Sequence, residues 1–301
     1  MHKRVLVTGA HGYIGSHVAR LAHESGYIVD GLDISSSDNN VRPYCDNLFY
    51  ADIVNMDAYL GQDIEYDAVI HCAGLISVNE SMNDPSRYYE VNTSGTLNII
   101  NKIKHKHFIF ASTGGAFDPI SPYAKSKILA ETIIKDVCKD YTIFRFFNVA
   151  GNNGEFRQIC TPSHIMHMAA LAATGERDKM TIFGNDYDTK DGTCVRDYVH
   201  VVDLASAIIA SIDNPANTEY ECVGSGSGYS NLEVTNTMKQ ASEIDFTVEF
   251  GERRAGDPGK LIVETMSKYV NIQHTLYEMC KSAFQMEATD KEIYKEKELS
   301  A

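Results

Sequence analysis

A tyrosine and a lysine four positions apart, Tyr123 and Lys127, are the residues of this sequence best suited to acid–base chemistry. If their segment is helical, both side chains lie on one face. A phenol with a pKa of about 10 is a poor base at neutral pH, but a nearby ammonium group lowers that pKa. The apolar run before them predicts a buried strand whose end carries Ser112 and Thr113. We therefore expect a hydroxyl, a phenol and an ammonium group at one strand end.

A second tyrosine–lysine pair with the same spacing, Tyr277 and Lys281, limits what the motif means by itself. Among 17 tyrosines, about one chance match of this kind is expected. Because no predicted strand ends before Tyr277, we assign that pair to a late surface helix without a catalytic role.

A glycine-rich segment follows the first predicted strand and opens the first predicted helix. Gly9 permits a tight turn, Gly12 lets a pyrophosphate approach the backbone, and Gly15 lets the helix pack closely on the sheet. Tyr13 and Ile14 lie between the last two glycines. A strand, a glycine turn and a helix in this order predict a dinucleotide-binding site.

Asp33 ends the second predicted strand, 24 residues after Gly9. A carboxylate at this place accepts hydrogen bonds from the adenosine ribose hydroxyls and repels a 2′-phosphate. No arginine follows before Arg42. We therefore predict NAD, rather than NADP, as the cofactor.

Short apolar runs alternate with helical patterns over the first half of the chain. Strands are predicted over residues 4–8, 27–33, 48–51, 68–72, 107–112 and 142–147. Helices with a 3.6-residue apolar period are predicted over 13–25, 86–104 and 122–139. This alternation predicts an α/β fold with a doubly wound parallel sheet of the Rossmann type, which binds ligands beyond the carboxyl ends of its strands.

The pattern changes near residue 151. Later features are helices over 163–174, 201–212 and 231–242, a Gly/Ser loop over 224–228 and a strand over 246–250. We predict an NAD-binding domain over 1–150, to which the chain returns around 183–210, and a smaller mixed α/β substrate-binding lobe over 151–301. The charged stretch 281–301 shows no clear apolar stripe, so a frayed helix or a disordered tail is expected.

The overall composition excludes several classes of protein. A formal net charge of −14 argues against non-specific binding to nucleic acid or to an anionic membrane. No apolar run is long enough for a membrane span, and the first residues resemble a strand rather than a signal peptide. The seven cysteines include no CxxC pair, which disfavours disulfides and zinc. We expect a cytoplasmic enzyme without a metal.

Longer motifs point to a known family. They are Phe183-Gly184-Asn185-Asp186-Tyr187, Val195-Arg196-Asp197-Tyr198-Val199-His200-Val201 and Arg253-Arg254-Ala255-Gly256-Asp257-Pro258, with shorter matches at His71-Cys72-Ala73-Gly74, Asn92 and Phe147-Asn148-Val149-Ala150-Gly151. With Tyr123 and Lys127, these motifs make the sequence resemble the extended short-chain dehydrogenase/reductases, and more narrowly the UDP-glucose (UDP-galactose) 4-epimerases. The resemblance runs from residue 3 to about residue 270.

The resemblance implies an enzyme that inverts C4 of a UDP-hexose through a 4-keto sugar, with Thr113, Tyr123 and Lys127 as catalytic residues. It implies contacts with NAD from Gly9, Gly12, Tyr13, Ile14, Gly15, Asp33, Asp52, Ile53, Cys72, Ala73, Gly74, Asn92, Ser112, Tyr123, Lys127 and Phe146. It implies contacts with the UDP-sugar from Asn148, His164, Thr181, Phe183, Arg196, Arg254, Asp257 and Leu261. A homodimer through helices 86–104 and 122–139 is also implied.

Some points stay open. The medium size of Leu261, at the position that faces the C2 substituent in relatives, does not decide whether the sugar carries an N-acetyl group. A nucleotide-sugar dehydratase shares the fold but needs an acidic pair after Thr113, where this chain has Gly114 and Gly115. An NAD-binding regulatory protein with little catalysis is a further alternative, since fold does not fix function. The short segment between Thr113 and Tyr123 favours that alternative, whereas the intact catalytic residues argue against it.

Overall fold

The computed structural model describes residues 2–36, 40–56, 64–156, 164–254 and 258–299, with only the backbone from residue 290 onward. In chain order its strands are β1 (Arg4–Thr8), β2 (Ile28–Asp33), β3 (Asn47–Tyr50), β4 (Tyr66–His71), β5 (His105–Thr113), β6 (Tyr141–Phe146), β7 (Asn148–Ala150), β8 (Met180–Phe183), β9 (Val195–His200), β10 (Glu221–Val223), β11 (Gly228–Ser230), β12 (Val248–Gly251) and β13 (Lys260–Leu261).

The helices are α1 (Tyr13–Glu24), α2 (Val78–Asn83), α3 (Pro85–Tyr89), α4 (Gly95–Lys102), α5 (Pro122–Val137), α6 (Ile165–Ala173), α7 (Val201–Ser211), α8 (Asn231–Ser242) and α9 (Leu276–Leu299). Short 3₁₀-helices cover Arg42–Tyr44 and Gly114–Phe117, and a π-helical turn covers Glu90–Ser94. Within the residues described, no helix is both long and apolar enough to cross a membrane.

The chain forms two compact units. The first comprises Met1–Phe146, Leu204–Val223 and Ser267–Asn271. The second comprises Phe147–Asp203, Gly224–Met266 and Ile272–Ala301. The chain thus leaves the first unit at the end of β6 and re-enters it within α7.

The first unit is built on a seven-stranded sheet in the order β10-β6-β5-β4-β1-β2-β3, and every neighbouring pair is parallel. Its central strands are nearly continuous apolar runs, as expected for strands covered on both faces. Leu6, Phe108, Phe110 and Ile134 have no exposed surface and belong to its core. The chain progresses in opposite directions from β1 and from β4, and such a switch point is the usual ligand site of this fold. The predicted doubly wound parallel sheet is confirmed.

The second unit contains a mixed sheet and a two-stranded sheet. Strand β9 pairs antiparallel with β11 and parallel with β7 and β13, while β8 pairs parallel with β12. Helices α6, α8 and α9 enclose a core that includes Met166, Met238 and Met279. The predicted smaller, mixed α/β lobe is confirmed.

The end of the chain differs from the prediction. Helix α9 buries Leu276, Met279 and Cys280 and packs Ala283 and Phe284 against the same core. Their spacing of three and four residues is an apolar stripe. The expectation of a frayed helix or a disordered tail from residue 281 was wrong for the part whose side chains are described, because the stripe begins before residue 281.

Candidate active site

The glycine turn after β1 brings two strand ends together. Gly9 has a φ of +68°, a conformation that other residues rarely adopt. A Cβ atom at Gly9 would lie 2.8 Å from the backbone nitrogen of Ala73, in the segment after β4. A Cβ atom at Gly15 would lie 2.0 Å from the carbonyl oxygen of Gly9. The turn therefore needs both glycines, and it contacts the β4 segment at the switch point of the sheet.

The entrance of α1 fits a dinucleotide. Gly12 is the N-cap of α1, and its position offers no side chain to cap the first amide groups, which suit a pyrophosphate. Asp33 accepts hydrogen bonds from the amides of His11 and Ser35, each at 2.9 Å. A carboxylate has about four acceptor sites, so ribose hydroxyls can use the others. These residues suit NAD, with Tyr13 and Ile14 partly exposed in the first turn of α1.

Three further residues assigned to the cofactor differ in exposure. Asp52 is partly exposed and accepts a hydrogen bond from the amide of Val54 at 2.9 Å. Ile53 is buried in the hydrophobic core, where its side chain lies against Gly95. Phe146 is also buried, with its ring centroid 6.2 Å from that of Phe144. For Ile53 the structure therefore leaves mainly the backbone available to a ligand.

Thr113, at the carboxyl end of β5, lies near Tyr123, and its hydroxyl acts on the pKa of the Tyr123 phenol. The Thr113 hydroxyl oxygen accepts the amide hydrogen of Gly115 at 3.1 Å, which leaves the hydroxyl hydrogen for the phenol oxygen. Ser121 caps α5 and thereby fixes the turn that carries Tyr123. Burial raises the pKa of Tyr123, and the hydrogen bond from Thr113 lowers it.

Lys127 lies one turn beyond Tyr123 and is only 3% exposed. Its Nζ donates to the carbonyl oxygen of Ala111 at 2.8 Å and lies 4.6 Å from the ring centroid of Phe110. Burial lowers the pKa of Lys127 to about 8, while Cys72 and Glu131 act to raise it. A buried amine with such a pKa, one helical turn from a phenol, suits proton transfer near neutral pH.

Asn92 connects α5, the catalytic helix that carries Tyr123 and Lys127, to the segment after β4. Its Oδ1 accepts the amide hydrogen of Leu75 at 2.8 Å, and its Nδ2 donates to the Ser126 hydroxyl at 3.0 Å. A Cβ atom at Gly74 would lie 2.9 Å from Asn92 Oδ1 and 3.5 Å from Lys127 Nζ. The structure therefore brings Gly74, Asn92 and Lys127 together beside the glycine turn.

His71 is a buried link that the sequence analysis left without a role. Its Nδ1 hydrogen-bonds with Thr8 Oγ1 at 2.7 Å and its Nε2 with Thr96 Oγ1 at 3.0 Å. Because Thr96 donates its own hydrogen to the carbonyl of Asn92, it accepts one from His71 Nε2. Burial lowers the pKa of His71 to about 3, and Lys127 lowers it too. A neutral imidazole therefore connects the end of β1 with the turn that holds Asn92.

Ser112, Glu131 and Arg145 form a second buried group. The Ser112 hydroxyl donates to Glu131 Oε1. Arg145 donates to the same carboxylate from Nε at 3.0 Å and from Nη2 at 2.7 Å. Glu131 and Arg145 were not predicted from the sequence, although the four-residue spacing from Lys127 to Glu131 was a signal that could have identified Glu131.

In the second unit, Arg196 lies in the middle of the mixed sheet. Its register partners are Tyr229 on β11 and Leu261 on β13. Its Nη1 donates to the carbonyl oxygens of Val195 at 3.0 Å and Pro258 at 2.8 Å. The structure therefore brings Arg196 and Leu261 together, and both are partly exposed.

Phe183 and Arg254 form a separate contact. The guanidinium carbon of Arg254 lies 4.1 Å from the ring centroid of Phe183. Thr181 lies two residues before Phe183 on β8. A planar guanidinium over an aromatic ring keeps its donors at the edge, where a phosphate can reach them.

The remaining residues assigned to the substrate make other contacts. Asn148 donates from Nδ2 to the carbonyl oxygen of Asp197 at 3.0 Å. His164 is the N-cap of α6, and burial lowers its pKa, with His167 adding to the effect. Asp257 lies outside the described residues. In the described part of the chain, no three His, Cys, Asp or Glu side chains are grouped to hold a metal.

The sequence profile of the NAD dependent epimerase/dehydratase family matches residues 5–223. The chain belongs to this family. The matched range includes the glycine turn, Asp33, Thr113, Tyr123 and Lys127.

Members of the family resemble the chain over nearly its whole length. The UDP-glucose 4-epimerase of Dictyostelium discoideum is 33% identical, with 97% of each chain covered. The crystal structure of UDP-glucose 4-epimerase from Bifidobacterium longum, in complex with NAD+ and UDP, has a TM-score of 0.86 at 28% identity and covers 96% of this chain and 99% of that one. The UDP-Glc/GlcNAc 4-epimerase of Campylobacter jejuni has a TM-score of 0.81 at 33% identity, covering 95% and 99%. The predicted resemblance is confirmed.

Proposed function

We propose that the protein is an NAD-dependent epimerase that inverts C4 of a UDP-hexose, with UDP-glucose and UDP-galactose as the principal pair. The observation that carries the proposal is the placement of Thr113 near Tyr123, with Lys127 one helical turn away, in the same unit as the glycine turn and Asp33. The family relatives above, which share most of their length with this chain, support the same reaction.

The proton steps fall to residues of the first unit. In its phenolate form, Tyr123 accepts the proton of the C4 hydroxyl, and the ammonium group of Lys127 favours that phenolate. When the sugar is bound, Thr113 donates its hydroxyl hydrogen to the reacting C4 oxygen instead of to the phenol. Bound NAD supplies a reversible oxidation of the C4 carbon. That oxidation leaves a ketone at C4. When this ketone is reduced from its opposite face, Tyr123 returns the proton to the C4 oxygen, and the hydroxyl has the inverted configuration.

The glycine turn and Asp33 hold the cofactor in this proposal. Gly9, Gly12 and Gly15 leave the backbone of the turn and the first amides of α1 open to the pyrophosphate. Asp33 binds the ribose hydroxyls and disfavours the 2′-phosphate of NADP. Gly74 and Asn92, which lie beside Lys127, border the reactive end of the cofactor.

The second unit holds the UDP group. Arg196 and Arg254 bind the diphosphate, since guanidinium groups match phosphate oxygens in shape and charge. Phe183 and Thr181 border the uracil, with Asn148, His164 and Asp257 as further contacts. Leu261, the register partner of Arg196, borders the C2 substituent of the sugar and sets the tolerance for an N-acetyl group.

A second copy of the chain is the expected partner. Exposed apolar side chains lie on α2 and α5, among them Val78 (50%), Met82 (60%) and Leu129 (47%). Apolar surface on adjacent helices favours a protein contact, so we propose a homodimer. A molecular mass near that of one chain in light scattering at micromolar concentration would contradict the dimer.

We also propose a cytoplasmic location. The free thiols of the described cysteines are in keeping with it, and cell fractionation tests it.

The experiment is to incubate the purified protein and NAD with UDP-glucose or UDP-galactose and to follow both sugars by NMR. We expect the same mixture from either starting sugar. A parallel pair of reactions with the N-acetyl sugars measures the effect of Leu261. If folded, NAD-bound protein interconverts neither pair, the proposal is wrong.

A further inference from the structure

A buried ion pair adjoins the catalytic residues without touching the groups that react. Glu131 is 1% exposed and lies one turn beyond Lys127 on α5. Arg145 is 8% exposed, lies on β6 and binds both oxygens of the Glu131 carboxylate. Ser112, which precedes Thr113, is the register partner of Arg145 and donates to Glu131. One carboxylate therefore joins the end of β5, β6 and the catalytic helix.

Arg145 extends this connection to the segment after Thr113. Its guanidinium carbon lies 3.9 Å from the ring centroid of Tyr220 and 5.0 Å from that of Phe117. The two rings meet edge to face, with their centroids 5.4 Å apart. Phe117 ends the 3₁₀-helix that begins directly after Thr113. Arg145 thus contacts the chain on both sides of Thr113.

Stability alone is a weak reason for such a pair. Moving two charges out of water is costly, and well-packed apolar residues in their place are often neutral or stabilising. A buried pair that joins three elements around a catalytic site is better explained by the geometry and charge that it imposes there. Supporting residues of this kind hold reacting groups in place through hydrogen bonds.

We propose that Glu131, held by Arg145 and Ser112, is a positioning residue of the epimerase reaction that fixes Thr113 relative to α5 and keeps Lys127 in its ammonium form. The inference rests on the proposed function, because it assigns Glu131 a role in that reaction. The effect of Glu131 on the charge of Lys127 can also be measured without turnover.

The charge of Lys127 depends on the titratable groups around it. Among the described residues these are His71 and Cys72 at the end of β4, with Tyr123 and Glu131 on α5 itself. Burial raises the pKa of the Cys72 thiol to about 12 and lowers that of His71 to about 3, so both are neutral while Lys127 titrates. Burial raises the pKa of Tyr123 above its ordinary value of about 10, so its phenol is neutral over the pH range in which Lys127 titrates in the free protein. Among the described residues, Glu131 is therefore the carboxylate that acts on Lys127, and it is itself paired with the Arg145 guanidinium on β6.

The test replaces Glu131 with an uncharged side chain of the same size, Glu131→Gln. We expect kcat to fall about tenfold or more, with a KM for UDP-galactose within about threefold of the wild-type value. We expect the alkaline fall in kcat to begin at a pH lower by about half a unit or more, since loss of a nearby anion lowers the pKa of Lys127. The same shift should appear in the NMR titration of Lys127 in protein labelled with ¹³C at the lysine ε-carbon.

The matched control is Asp30→Asn in the same unit. Asp30 has no exposed surface and accepts two hydrogen bonds from Arg4, at 2.9 and 3.1 Å. This substitution also removes the carboxylate of a bidentate arginine pair, but one without a contact to the catalytic residues. We expect an unchanged pH profile and an unchanged Lys127 titration. An equal loss of kcat in the control would overturn the proposal.

Two milder variants keep the inference testable if Glu131→Gln does not fold. Ser112→Ala removes one donor, and Arg145→Lys keeps the charge but loses the two-point contact. We expect both to lower kcat about threefold or more, and Arg145→Lys to do so without weakening NAD binding. Wild-type kcat in both would overturn the proposal, as would an unchanged Lys127 titration in Glu131→Gln. Failure of the proposed function is distinct, because then the wild-type protein itself does not epimerise while the titration still reports on Lys127.

Discussion

The side-chain nitrogen of Lys127 donates a hydrogen bond to the carbonyl oxygen of Ala111 at 2.8 Å. This bond ties the middle of α5 to β5 two residues before Thr113. It fixes the position of the ammonium group, whose residue lies one helical turn from Tyr123 on α5.

Replacing Tyr123 with phenylalanine removes the proposed base but keeps its ring. We expect Tyr123→Phe to lower kcat by about 10²- to 10⁴-fold, the usual contribution of a positioned acid–base group. NAD affinity, measured by calorimetry, should stay within about threefold. The control is Tyr277→Phe in the second tyrosine–lysine pair, which should leave kcat unchanged. A regulatory protein would instead keep its function after Tyr123→Phe.

The pH dependence of turnover follows from Lys127. Burial lowers its pKa to about 8, so its ammonium form is lost as the pH rises through that value. We therefore expect kcat at saturating substrate to decline on the alkaline side. In Lys127→Arg the positive charge persists to higher pH. The alkaline decline in kcat should therefore begin at a higher pH, even if the maximum rate is lower. An unchanged alkaline limb in this variant would assign the decline to another group.

A methyl group at Gly15 should disrupt the cofactor turn. Its Cβ atom would lie 2.0 Å from the carbonyl oxygen of Gly9, so the backbone must move. We expect Gly15→Ala to weaken NAD binding about tenfold or more and to lower the free energy of unfolding by about 1–3 kcal/mol. In Gly259→Ala the nearest atom would lie 3.6 Å away, and NAD affinity should not change. Equal NAD affinity in both variants would contradict the proposed pyrophosphate site.

Adjacent arginines separate a phosphate contact from a structural one. Arg254 stacks on Phe183, whereas Arg253 stacks on Tyr187 and binds Asp186. We expect Arg254→Lys to weaken UDP binding about tenfold, because lysine keeps the charge but loses the two-point contact. Arg253→Lys should change UDP affinity by less than about threefold. Calorimetry with UDP decides between the two arginines, and a larger loss for Arg253 would refute the assignment.

The local parts of the fold followed from the sequence. The predicted first strand, 4–8, and the predicted helix 231–242 agree with β1 and α8. In both, apolar spacing and end signals lie within the segment itself. The predicted helix over 86–104 is instead divided into α3, a π-helical turn and α4. Asn92 in that turn bonds with Leu75 and Ser126, and such distant partners leave no periodic signal.

In the candidate site too, contacts between residues distant in sequence could not be predicted. Tyr123, Lys127 and the glycine turn were predicted because each belongs to one short segment with a fixed spacing. Glu131 and Arg145 were missed because their pairing exists only after α5 returns the chain to the sheet beside β5. The role of His71 depends in the same way on Thr8 and Thr96, which lie far from it in sequence.

The most direct test of the central claim follows the hydrogen at C4. Wild-type protein with NAD is incubated with UDP-galactose that carries deuterium at C4, and the UDP-glucose formed is examined by NMR and mass spectrometry. Oxidation and reduction at one carbon with the same bound cofactor predict UDP-glucose that keeps the deuterium at C4. Loss of the label to water, or the absence of UDP-glucose from folded protein with bound NAD, would contradict the account.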